Sequence, residues 1–166
     1  MRTAQGFTLI ELILYVAIMA IVSTALIPFA WNIIGTGVKS AAEQEVFSQA
    51  RVVSERIKYE IRNATGINNV TSSSISLAKS EASLNPTVID FLAGKIRISQ
   101  GGGGAVNLNS SDTNMTSLTF TNYTSADNKT KHIQFIFTME DNYTGLRQEY
   151  NVPPITVEGS VEIRSN

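Results

Sequence analysis

Apolar residues run almost without interruption from Phe7 to Ala30, and no charged side chain occurs between Leu12 and Val38. As a helix rising 1.5 Å per residue, Phe7 to Ala30 spans about 36 Å, enough to cross a hydrocarbon core of about 30 Å. Glu11 breaks the pattern one turn inside this run. A carboxylate deeper in lipid costs about 2.5–3.5 kcal/mol, so it calls for a partner or a role. Pro28 is expected to interrupt or kink the helix, and Gly35 and Gly37 to weaken it further. Beyond Lys39 the period becomes that of an amphipathic helix. Val46, Ala50, Val53, Ile57, Ile61 and Ala64 fall on one stripe. Glu43, Glu45, Arg51, Glu55, Arg56, Lys58, Glu60 and Arg62 lie off it and read as a solvated face or a face between copies. Arg51–Glu55 and Arg56–Glu60 are spaced as i,i+4 pairs, and Gly66 is a stop signal.

After Gly66 the chain turns to short alternating segments rich in Ser, Thr, Asn and Gly. Strands are expected at Ser74–Ala78, Thr87–Phe91, Lys95–Ser99, Ser117–Tyr123, His132–Met139, Gln148–Val152 and Ile155–Arg164. The alternation is clearest in Ile133, Phe135, Phe137 and Met139, and in Val157, Gly159, Val161 and Ile163. Loops are signalled at Asn85-Pro86, Gly101 to Gly104, Asn109 to Asn114, Ala126 to Asn128, Asp141-Asn142 and Pro153-Pro154. The pattern predicts an α+β fold: a long N-terminal helix with one stripe packed on an antiparallel β-sheet head.

Composition narrows the chemistry. The net charge is −1, which gives no electrostatic case for nucleic acid. There is no cysteine, so disulfides, thiol catalysis and thiolate metal sites are excluded. His132 is the only histidine and stands at the start of a strand beside Lys131. No serine occupies a Gly-x-Ser-x-Gly elbow, and Gly101 to Gly104 lacks the Lys-Ser/Thr of a phosphate loop. No catalytic residue is assigned, and the chain reads as a non-enzyme. No cofactor or metal is assigned: Asp127 and Asp141, each followed by asparagine, could offer oxygen ligands to calcium, but Asp-Asn pairs ordinarily make turns and the full calcium-loop spacing is missing. Asn-x-Ser/Thr triplets begin at Asn63, Asn69, Asn109, Asn114, Asn122, Asn128 and Asn142, as chance produces in so Asn- and Thr-rich a chain.

The N-terminus adds a resemblance. A short leader carrying Arg2, then Gly6-Phe7-Thr8-Leu9-Ile10-Glu11, then the unbroken apolar run, resembles the prepilin signature of type IV pilins and type II secretion pseudopilins. The likeness covers about the first quarter of the chain. It implies cleavage by a prepilin peptidase between Gly6 and Phe7, N-methylation of Phe7, and an assembly role for Glu11 opposite the Phe7 amine of a neighbouring subunit. It further implies that the segment at Pro28 can unwind in a filament. The implied partners are other pilin subunits, the peptidase, an inner-membrane assembly platform and, before assembly, membrane lipid. The implied location is the bacterial inner membrane, single-pass, and then a filament at the cell surface or in the periplasm. Residues 1–6 are then a leader, 7–38 a transmembrane or filament-core helix, 39–66 the amphipathic helix of the head, and 67–166 a β-rich head domain. Arg51 to Gly66 and Gly159 to Arg164 are similar to segments of J-type pseudopilins and W-type minor pilins, which favours a minor subunit. The alternative is an exported or membrane-anchored β-rich binding domain with an ordinary signal, cleaved near Ser23-Thr24-Ala25.

Overall fold

The computed structural model describes residues 7–127, 130–145 and 152–164. Helix α1 runs from Leu9 to Arg62 as a single element of 54 residues, about 80 Å at the standard rise. Pro28 lies inside it and does not interrupt it. The ring removes one N–H, the donor that would reach the carbonyl four residues back, and the flanking turns carry the helix through. The six-residue stripe is buried throughout, from Val46 to Ala64, and Ala42 extends it by one turn. On the opposite side Lys58 pairs with Glu55 at 3.0 Å, in place of the expected Arg51–Glu55 pair. The Lys58 hydrogen bond and charge hold the Glu55 carboxyl below the ordinary carboxylate range. A depressed acid contributes its stability above the unfolded pKa and loses it as pH falls through the folded one. Glu55 is fully exposed, so solvent and salt screen the contribution.

The head holds two antiparallel sheets, where the alternation suggested one. The first contains β1 (Gly66–Val70), β2 (Ser74–Ala78), β3 (Thr87–Leu92), β4 (Lys95–Gln100) and β5 (Val106–Asn107), in that order. The second contains β6 (Thr113–Asn122), β7 (His132–Asp141) and β8 (Ile155–Glu162), again in order. The sheets bury their inner faces in one core with the α1 stripe. Ile75, Leu77, Ile89 and Ile96 come from the first; Met115, Ile133, Phe135, Phe137 and Met139 come from the second. On the outer face of the first sheet Arg97 makes two hydrogen bonds to Asp90, at 2.8 and 2.7 Å. That contact raises the Arg97 pKa above its ordinary value.

Three expectations need correction. Gly66 does not simply stop the helix: α1 ends at Arg62, capped at Asn63, and Gly66 opens β1. The stretch Asn109 to Asn114 is not a plain surface loop. Asn109 is buried, its Oδ1 accepts from Ile96 N–H at 3.0 Å, and its Nδ2 donates to the Thr113 carbonyl at 2.9 Å. Lys95 Nζ donates to the Ser110 and Thr113 carbonyls beside it, so polar side chains saturate a corner that becomes the start of β6. Glu60 is not on a solvated face. It is buried, bonded to Lys79 Nζ at 2.7 Å and to Arg56 at 2.8 Å. Of the expected strand Gln148–Val152, only Val152 lies among the described residues, and it is buried outside any strand.

Gly159 stands opposite Phe135 in the β7–β8 ladder. A Cβ at Gly159 would meet Phe135 Cζ at 2.2 Å, so the missing side chain makes room for the ring. Gly159→Ala is expected to destabilise the head by about 1–3 kcal/mol through overpacking. Adding Phe135→Leu should recover part of that loss in a thermal melt. An unchanged midpoint for the single variant would remove the steric role of Gly159.

Candidate assembly site

Thr8 caps the helix. Its backbone is extended (φ −86°, ψ 150°), and its Oγ1 accepts from the Glu11 N–H at 3.4 Å. The Thr8 carbonyl accepts from Glu11 N–H at 3.1 Å and Leu12 N–H at 3.2 Å. Glu11 therefore occupies the third position of the first turn, the only acid there. Thr8-x-x-Glu11 is the spacing of a capping box, a signal the apolar run obscured. The helix thus begins at Leu9, near Phe7 as expected, with Thr8 as its cap.

The cap has an electrostatic consequence. Side chains on a helix lean towards its N-terminus, so the Glu11 carboxylate leans back over the first turn. The N-terminal end of the dipole favours an anion there by about 0.3–1 kcal/mol. That is less than the cost of the same carboxylate inside hydrocarbon, so the cap alone does not settle Glu11 in an apolar medium. Phe7 lies next to the cap, with its ring 5.7 Å from that of Tyr15. Gly6, the other half of the expected cleavage site, lies outside the described residues.

The helix after this site has no cover. Every large apolar side chain from Phe7 to Ile34 is between 43% and 77% exposed, whereas the stripe from Val46 onward is sealed. The N-terminal part is long and apolar enough to cross a membrane, and none of its most apolar window is buried in the protein. Glu11 is half-buried within this bare surface.

The other candidates are dispersed. Asp127 sits in a turn before β7 and accepts from Ser125; Asp141 ends β7 and accepts from Tyr143 N–H at 2.7 Å. Strand β7 separates them by about 30 Å, so they cannot share one ion. Among the described residues no three His, Asp or Glu converge in a way that could hold a metal ion. His132 contacts the Ser160 hydroxyl on the outer sheet face, with the Tyr123 ring 6.5 Å away.

Residues 1–27 match the family model for the prokaryotic N-terminal methylation motif. Searches of curated proteins and of solved structures returned no match. The matched segment contains Gly6, Phe7 and Glu11, and the helix it opens carries the antiparallel sheets of the head. The chain thus joins a prokaryotic N-terminal methylation segment to a pilin-like α+β build, one long helix packed on antiparallel sheets.

Proposed function

We propose that this chain is a structural subunit of a type IV pilus-like or type II secretion pseudopilus filament, and a minor one. A prepilin peptidase removes residues 1–6 and methylates the new Phe7 amine. Before assembly the uncovered helix anchors the subunit in the membrane. An assembly platform then extracts it, and the apolar segments bundle, exchanging lipid for helix–helix packing. Glu11 sets the register by meeting the Phe7 amine of a neighbour. The observation that carries this reading is the methylation segment at the head of a helix whose apolar half the head leaves bare. The reading assigns no reaction to the head.

The leader is tested by Gly6→Leu. A bulky residue on the leader side of the bond should leave the chain at precursor mass in membranes, with no mature form. A mature chain of normal size from Gly6→Leu would contradict cleavage at that bond and return the exported-domain alternative.

A further inference from the structure

The two sheets leave a groove between their edges. β1 pairs only with β2, and β6 only with β7. The turn after β1 meets β6 at a main-chain bond, Phe120 N–H to the Ser72 carbonyl at 3.0 Å. Beyond it lies a groove of about 760 Å³, walled by residues 66–72 on one side and by 120–122 and Thr124 on the other. That volume lies within the usual 300–1,000 Å³ of ligand sites. At the far end stands Lys131, whose Nζ would lie 3.9 Å from a Cβ at Gly66.

Both walls are strand edges, so they present main-chain N–H and C=O groups at the spacing of a ladder. The chemistry that matches such an edge is another extended main chain. Asn68, Asn69 and Asn122 add side-chain amides to the walls. Among the described residues Lys131 is the only charged side chain lining the groove. Its nearest acceptor is the Thr65 carbonyl at 3.5 Å, and no carboxylate lies within ion-pair reach of it among the described residues. An occupant is thus favoured if it carries an acid at that end.

We propose that the groove takes an extended peptide segment of a partner protein as an added strand between β1 and β6, with a carboxylate of the segment against Lys131. This concerns the head alone and does not rest on the filament reading.

The test uses the full chain in detergent micelles, isotope-labelled, with two synthetic probes. One is acetyl-Thr-Val-Thr-Val-Thr-Glu; the other ends in Lys in place of Glu. Pairing through the main chain is tolerant of sequence, so both should give saturable amide shifts confined to residues 66–72, 120–124 and 131. The acid-ended probe should bind about fivefold more tightly, as expected for a partly exposed ion pair. Lys131→Glu, at a surface position, should keep a dispersed spectrum and reverse the preference. Asn69→Trp, which fills the groove from an exposed position, should abolish binding of both. Shifts absent at millimolar probe, shifts elsewhere, or equal affinities that Lys131→Glu does not change would overturn the proposal. Shifts at these residues that grow with protein concentration alone would assign the groove to a second copy, and would equally overturn it.

Discussion

Glu11→Ala is expected to leave processing intact and to reduce incorporation into filaments by at least about tenfold. The proposed cleavage lies between Gly6 and Phe7, which the substitution does not touch. In the proposed filament, incorporation depends on what Glu11 meets when its helix leaves lipid for a bundle of other helices. In the single subunit the first turn supplies a capped N-terminus and a modest dipole. In a packed bundle the same carboxylate loses its access to headgroups and water. Pairing with a neighbour's Phe7 ammonium then offsets the desolvation, and only one axial offset between helices allows it. Alanine removes the penalty and the register signal together. The expected defect is therefore in correct placement, more than in stability of the monomer. A shift of about 1.4 kcal/mol in placement already gives the tenfold effect. Glu11→Gln separates charge from shape: it keeps the size and a hydrogen bond but cannot pair with an ammonium, so it should behave like alanine. Wild-type levels of Glu11→Ala in sheared filaments would remove Glu11 from assembly and leave it as a helix cap.

The second large effect lies in the head. Lys79→Met is expected to destabilise it by about 3 kcal/mol, at the low end of the cost of breaking a buried ion pair. Lys79 Nζ donates to the Glu60 carboxylate at 2.7 Å and to the Glu60 carbonyl at 2.8 Å. It thus supplies a cation at the C-terminal end of α1, where the dipole favours one and disfavours the acid. Without Lys79 the Glu60 carboxylate stays buried with Arg56, itself 42% exposed in its side chain, and a long hydrogen bond from Gln100 Nε2 at 3.5 Å. The loss corresponds to about 6–12 °C in the melting midpoint for a chain of this size. Glu60→Leu combined with Lys79→Met should recover most of it, because a matched apolar pair replaces the ion pair without a stranded charge. A single variant that melts like the wild type would mean that the pair contributes nothing to holding the end of α1 to the segment after β2.

The parts of the fold legible in the sequence were those with a single strong period. The stripe from Val46 to Ala64 repeats every three or four residues, and all of it is buried. Ile133, Phe135, Phe137 and Met139 alternate strictly, and all are buried in the central strand of their sheet. What the sequence hid was polar residues used internally. Glu60 reads as one more charge on a charged helix, because its partner Lys79 arrives from just past the end of β2, nineteen positions away. Asn109 reads as a turn former, yet its amide closes the corner between the two sheets. β1 contains Asn68 and Asn69 and lacks alternation, since it is an edge strand exposed on one side. At the candidate assembly site, the apolar run with Glu11 inside it was plain. The cap was not: Thr8 looks like part of the run until its spacing to Glu11 is counted.

The central claim is that the chain is a processed filament subunit, and the N-terminus of the protein recovered from membranes and from sheared surface material tests it most directly. Intact mass and N-terminal sequencing should show a chain beginning at Phe7 and carrying one additional methyl group. A chain beginning near Val22–Ala25, or still beginning at Met1 in the sheared material, would contradict it and leave the head as an exported domain on an ordinary signal or anchor.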